Sequence, residues 1–290
     1  MTFVLHPALC CPIDAAPLVM DELSLVCEHG HRFDVARQGY VNLLGPKDKR
    51  SKDPGDSKEM VSARAAFLNA DFYRPVADAC LDVTLGYYST VADGRITLLD
   101  AGCGDGYYLH HVQENLPNNL RNRTSLVGFD ISKWAVKQSA RRCDGTWFVG
   151  SNRHIPMTDA SVDLLFDMFG FPDYSSFRRI LAPQGRLVRV SPGNRHLIQL
   201  REIIYPNIKP RSERTNYPET FKLVSERHIT YEMSVGTEDL ERILLMTPHM
   251  FRSTPKRRQQ ACCRRLGVDR NIWGVISKIL SKSSVPTLIS

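Results

Sequence analysis

From residue 96 onward the chain repeats one pattern: a short apolar run, a turn, and then a stretch in which apolar residues recur at helical spacing. The runs at 96–100, 126–129, 147–149, 162–167 and 186–191 are too short for buried helices and read as strands. Strands alternating with amphipathic helices predict a parallel, doubly wound α/β sheet. Two later stretches, 221–233 and 271–279, are strand-like and suit an antiparallel edge hairpin. Ahead of the alternation, Met60, Ala63, Phe67 and Leu68 mark a helix over 58–69, and Pro75 suits the first turn of a second helix reaching about residue 88.

The first 44 residues differ in kind, with few helical signals and with Cys10, Cys11, Cys27, His29 and His31 set among turn formers. A charged stretch follows, Gly45-Pro46-Lys47-Asp48-Lys49-Arg50-Ser51-Lys52-Asp53-Pro54-Gly55-Asp56, which cannot bury itself. The expected organisation is a small metal-supported module over 1–44, an exposed linker over 45–57, and a catalytic domain with two leading helices over 58–290.

The first strand breaks into Asp100-Ala101-Gly102-Cys103-Gly104-Asp105-Gly106, and the second ends at Asp130. Glycines allow a sharp turn and close approach of a ligand, and a carboxylate ending the next strand can accept hydrogen bonds from ribose hydroxyls. A dinucleotide site would show G-x-G-x-x-G, and no Gly-Lys-Ser/Thr follows, so neither a dinucleotide nor a nucleoside triphosphate fits. The compact spacing resembles motif I of the S-adenosylmethionine-dependent methyltransferases and implies Gly102, Gly104 and Asp130 as cofactor contacts.

Composition narrows the picture further. No apolar run approaches the ~20 residues of a membrane span, so a soluble, cytoplasmic protein is expected. Eight cysteines, two pairs of them adjacent in sequence, suit cytosolic thiols better than disulfides. Lysine and arginine outnumber acids 38 to 31, which permits an anionic partner without requiring one.

The clusters Cys11-Pro12-Ile13-Asp14 and Cys27-Glu28-His29-Gly30-His31 are spaced as a tetrahedral zinc site needs. A ribbon normally repeats Cys-x-x-Cys, and here Asp14 takes the second position. Asp14 can supply an oxygen, Cys10 can supply a thiolate instead, or the ribbon holds by packing alone. The gap from Cys27 suits His31 better than His29, and such a site would be structural.

Phe33-Asp34-Val35-Ala36-Arg37-Gln38-Gly39-Tyr40-Val41-Asn42-Leu43-Leu44, Lys49-Arg50-Ser51-Lys52-Asp53-Pro54-Gly55-Asp56-Ser57, Ser191-Pro192-Gly193-Asn194-Arg195-His196-Leu197 and Met246-Thr247-Pro248 together resemble the bacterial 23S ribosomal RNA guanine-N1 methyltransferases. The resemblance implies a zinc ribbon joined to a Rossmann-like class I methyltransferase sheet, with a 23S rRNA hairpin as partner and no membrane. The Lys-Arg-Ser string is similar to the Gram-negative branch, rather than to the branch associated with macrolide resistance. Family roles fall on Cys11, Cys27 and His31 as zinc ligands, with Asp14 where the family has cysteine. They fall on Tyr73, Gly104, Asp105 and His196 as contacts of S-adenosylmethionine. A homodimer is compatible with the reading.

Guanine N1 carries a proton at neutral pH, so a base is needed beside a well-aligned methyl donor. Asp167, ending the fourth strand, is the candidate, ahead of Asp173 and His154. Phe169 and Phe171 are placed to stack on an extruded guanine, and Asn152, Arg153 and His154 to meet an adenine. Lys47, Lys49, Arg50 and Lys52 form one basic RNA-contact region, and Arg252, Lys256, Arg257, Arg258, Arg264 and Arg265 a second. Two alternatives share the sheet: a small-molecule methyltransferase, and a noncatalytic RNA-binding protein retaining the fold.

Overall fold

The computed structural model describes residues 2–45, 48, 51, 53–91, 94–208, 217–247 and, for the backbone, 272–282. Four short strands open the chain: β1 (Val19–Asp21), β2 (Ser24–Val26), β3 (Arg32–Ala36) and β4 (Tyr40–Asn42). Two helices follow, α1 (Lys58–Asn69) and α2 (Arg74–Tyr88), the first capped by the Ser57 hydroxyl, which accepts from the Met60 N–H, and the second begun by Pro75. Then come β5 (Ile96–Ala101), α3 (Tyr107–Asn115), α4 (Asn118–Arg121), β6 (Thr124–Asp130), α5 (Lys133–Arg142), β7 (Thr146–Val149), β8 (Val162–Met168), α6 (Tyr174–Ile180) and β9 (Leu181–Pro192). The chain closes with α7 (Ile198–Ile204), β10 (Phe221–Glu232), α8 (Thr237–Met246) and β11 (Ile272–Lys282).

The strands form one sheet in the order β1-β2-β3-β4-β7-β6-β5-β8-β9-β11-β10. β7, β6, β5, β8 and β9 run parallel, and β11 pairs antiparallel with both β9 and β10. The sheet is thus the doubly wound one expected, with the antiparallel edge read from 221–233 and 271–279. β9 starts earlier than expected: its first residues include Pro183 and Gly185, which interrupt the apolar pattern, and its register against β8 shifts between Val162 and Leu164.

Neighbouring strand residues point to opposite faces and so enter different cores. Leu98, Leu164 and Val188 pack with Phe67, Val76, Leu109 and Trp147 on one face. Leu99, Leu165 and Leu187 pack with Phe129, Phe148 and Phe177 on the other. That second core also takes Leu9, Cys11, Leu25, Cys27, Val41 and Leu43, so the N-terminal strands share their apolar burial with the main sheet. The join is a strand pairing: β4 lies parallel to β7, with Val41 opposite Phe148 and Asn42 opposite Val149. No helix among the described residues is long and apolar enough to cross a membrane.

Candidate active site and metal centre

The crevice forms where β5 and β6 end. Gly102, Gly104 and Gly106 all take left-handed backbone angles (φ 82°, 56° and 78°), a conformation costly for residues with a Cβ. This bend turns the chain from β5 into α3, and a Cβ placed on Gly102 would meet nothing within 4 Å. Space for a ligand therefore lies directly over the turn.

Asp130 sits across from it. One carboxylate oxygen accepts the Gly104 N–H at 3.1 Å and the other accepts the Ser132 N–H at 2.8 Å. Each oxygen keeps a further lone pair for a hydroxyl group. Burial raises the Asp130 pKa, and the Ser132 N–H and the Arg64 guanidinium oppose that rise.

Two further carboxylates crowd the same place. Asp100 is fully buried, and neither of its oxygens has a hydrogen-bond partner among the described residues. Burial, then the negative charges of Asp167, Asp130 and Asp105, raise its pKa well above the ordinary carboxylate range. Asp167 is equally buried; Oδ2 accepts from Arg189 Nε at 3.2 Å while Oδ1 is without a partner among the described residues. Burial brings Asp167 to about 6, with the Arg189 charge opposing the rise. Burial and mutual repulsion hold these carboxyls toward their neutral forms, and a cationic ligand placed beside them would favour their ionised forms. S-adenosylmethionine, carrying a sulfonium and an ammonium, is such a ligand.

Asp105 is placed differently from its neighbours. Its carboxylate, almost wholly buried, pairs with the Arg142 guanidinium from α5, and Arg142 Nε also donates to the Asp105 carbonyl at 3.0 Å. Its side chain thus clamps the glycine loop onto α5, and only its backbone remains for a ligand.

Tyr73 and His196 come together. The tyrosine hydroxyl lies 3.1 Å from His196 Nε2, and both rings pack against Phe169. Phe169 and Leu197 hold left-handed backbone angles (φ 58° and 55°), a strain for bulky residues that collects at functional sites. Phe171 instead points outward, 89% exposed, with its carbonyl accepting from Asn152 Nδ2 at 2.7 Å. His154 pairs at 2.9 Å with Asp48, and Asp173 caps α6 through the Ser176 N–H, which occupies both of these less favoured bases.

In the N-terminal module the side chains of Cys11, Asp14, Cys27 and His31 converge, with their ligand atoms all within 4.8 Å of one another. Cys11 Sγ and Cys27 Sγ lie 3.5 and 3.4 Å from His31 Nδ1, and Asp14 Oδ2 lies 2.9 Å from it. Asp14 occupies the fourth corner, and Cys10 is not part of the cluster; its N–H pairs with the Pro156 carbonyl. Hydrogen bonds from the Cys11 thiol and then the Ala16 N–H hold the Asp14 carboxyl well below the usual range, so it is ionised as a ligand must be. Two thiolates, an imidazole and a carboxylate at this spacing suit tetrahedral zinc, and four filled positions leave none open for catalysis. His29 Nδ1, at 2.9 Å, also contacts Asp14 Oδ2 from an exposed position.

The comparisons agree with both halves. Residues 9–52 match the zinc-ribbon model described as RlmA, N-terminal, and residues 98–188 match a methyltransferase domain. A protein of Micromonospora griseorubida named as a 23S rRNA (guanine-N1)-methyltransferase is 34% identical over 68% of this chain and 69% of its own. The chain belongs to the 23S rRNA (guanine-N1)-methyltransferase family. Within the family, the 23S rRNA (guanine(748)-N(1))-methyltransferase of Streptomyces fradiae is 29% identical over 84% of this chain and 86% of its own. A third family member, from Bacillus subtilis, is 27% identical over 86% and 88%.

Sequence reasoning singled out Gly102, Gly104, Asp105, Asp130, Tyr73, His196 and Asp167, and it passed over Asp100, Arg64 and Arg189. Asp100 was visible as the acidic residue opening the glycine motif. The two arginines have no local signal, since each acts through a partner distant in sequence. The basic residues Lys47, Lys49, Arg50 and Lys52, and Arg252, Lys256, Arg257, Arg258, Arg264 and Arg265, lie outside the described residues.

Proposed function

We propose that the protein transfers a methyl group from S-adenosylmethionine to N1 of a guanine in a 23S rRNA hairpin. The observation that carries the reading is the meeting of the glycine bend, Asp130 and the buried carboxyls of Asp100 and Asp167 at one crevice. Family membership supplies the substrate class. Bound S-adenosylmethionine supplies a methyl carbon activated by a positive sulfur.

The residues divide the remaining work. Gly102 and Gly104 admit the donor, Asp130 accepts from its ribose hydroxyls, and the Tyr73 and His196 pair closes the crevice. Asp105 contributes through its backbone. Asp100 and Asp167 offset the donor's positive charge. Asp167, held at Oδ2 by Arg189, would take the N1 proton through Oδ1 from a guanine aligned with the donor's methyl carbon, the methyl–sulfur bond breaking as the N1–methyl bond forms. Exposed Phe171 is the surface on which an extruded guanine stacks.

Residues 1–44 act in this reading as a ribbon that recognises RNA shape, held by zinc on Cys11, Asp14, Cys27 and His31. The segment 45–57 brings Lys49, Arg50 and Lys52 to the phosphates. The similarity of 49–57 to the Gram-negative string favours that branch's choice of guanine. A homodimer belongs to the same proposal, supported by exposed Val19, Met20 and Leu23 around the edge strand β1, and sedimentation reads it. The reaction belongs in the cytoplasm, where ribosomes are assembled.

Incubation with labelled S-adenosylmethionine and unmodified 23S rRNA, followed by reverse transcription, tests the reading. A methyl group on N1 blocks base pairing and stalls the polymerase at one guanine. Label confined to small molecules would reject RNA as the substrate.

A further inference from the structure

The segment after the ribbon is docked onto the turn that carries Asp130. Gly55, at φ +83°, approaches so closely that a Cβ there would lie 2.8 Å from Ile131 Cγ2 and 2.9 Å from the Ser132 backbone N. The buried Ser132 hydroxyl donates to the Asp56 carbonyl at 2.6 Å, and the Ser132 N–H binds Asp130 Oδ1. Trp134 Nε1 donates to Asp53 Oδ2 at 3.0 Å, Lys133 Nζ lies 3.0 Å from Asp53 Oδ1, and Asp56 pairs at 2.5 Å with Arg64, whose side chain lies against Gly104. The acidic residues of this segment thus grip both walls of the donor crevice.

We propose that Asp53, Gly55 and Asp56 are positioning residues for the donor: they hold the 130–132 turn and the glycine bend in the spacing that receives adenosine. The inference rests on the reading of the crevice given above. In sequence these residues directly follow Lys49, Arg50 and Lys52, assigned there to RNA. With the RNA contacts assigned above only a few residues away in sequence, the proposal extends to a positive coupling between RNA and donor, reciprocal by thermodynamic linkage.

The test is calorimetric titration of the full-length protein with S-adenosylhomocysteine, alone and with a 23S hairpin transcript. For the unmodified protein the hairpin tightens S-adenosylhomocysteine about five-fold, the lower end of typical coupling. Gly55→Ala weakens S-adenosylhomocysteine about ten-fold, brings the ratio with and without RNA close to one, and raises KM for S-adenosylmethionine while kcat at saturation stays within about two-fold. Trp134→Phe, which keeps an aromatic side chain but removes the indole N–H that donates to Asp53, serves where Gly55→Ala does not fold. It weakens S-adenosylhomocysteine about two- to three-fold and lowers the ratio.

Unchanged S-adenosylhomocysteine affinity in the variant that folds overturns the positioning role, and a ratio of one in the unmodified protein overturns the coupling. Normal donor binding without methylation of any 23S transcript would instead count against the proposed function.

Discussion

The Tyr73 hydroxyl meets His196 Nε2 at 3.1 Å inside the core, although 123 positions separate the two residues in sequence. The bond ties the start of α2 to the segment after β9. Replacing Tyr73 with Phe removes one buried hydrogen bond, a loss of about 1 kcal/mol. S-adenosylhomocysteine is expected to bind about five-fold more weakly, as read by calorimetry; unchanged affinity would take the pair out of the donor site.

Asp167 sets a pH dependence. Burial raises its pKa to about 6, and a base must be ionised to accept the N1 proton, so kcat/KM rises through pH 6 and levels off above it. The Arg189 charge opposes the rise, and Arg189→Met therefore moves the limb to higher pH. Asp167→Asn lowers kcat about a hundred-fold or more while S-adenosylhomocysteine still binds. In folding, the raised pKa favours the protonated native state: this contribution is complete below about 3.8 and is lost as pH rises through 6.

Arg142 neutralises Asp105 where water has little access. Arg142→Ala leaves a buried charge unpaired, which costs about 3 to 5 kcal/mol and is measurable by urea unfolding. A loss under about 1 kcal/mol would mean that Asp105 finds another partner.

Elemental analysis of the purified protein should find zinc. Asp14→Ala should lose it and lower the melting temperature, whereas Asp14→Cys, restoring a third thiolate, should retain it. Metal kept at full occupancy by Asp14→Ala would remove Asp14 from the ligand set.

Lys49→Ala combined with Arg50→Ala should weaken hairpin binding most at low salt and reduce the slope of log affinity against log salt by about 1.5, with folding retained. An unaltered salt titration would remove both residues from the RNA surface.

The strands were legible because a buried parallel strand needs an unbroken apolar run, as at Leu98-Leu99 and Leu164-Leu165. The glycine bend was legible because three left-handed backbone positions call for glycine. The environment of each carboxylate was not. Asp105 and Asp130 look alike in sequence, and only the packing of α5 gives one to Arg142 and the other to backbone N–H groups. The residues 53–57 read as exposed because they are charged, and Asp53, Gly55 and Ser57 are exposed; what the sequence does not show is that Asp53 and Asp56 find partners on α5 and α1. The ribbon's fourth corner is open in the sequence among Asp14, Cys10 and packing without metal, because only the fold brings the Asp14 side chain together with Cys11, Cys27 and His31.

The hydrogen-bonded contact of β4 with β7 makes the protein a ruler. If residues 1–44 read RNA as proposed, a module fastened along the edge of the catalytic sheet, rather than hung on a tether, would measure a constant distance to the methyl donor. Lengthening the connection after Asn42 would therefore do little to change which nucleotide lies within reach, whereas slipping that strand by one register would change it.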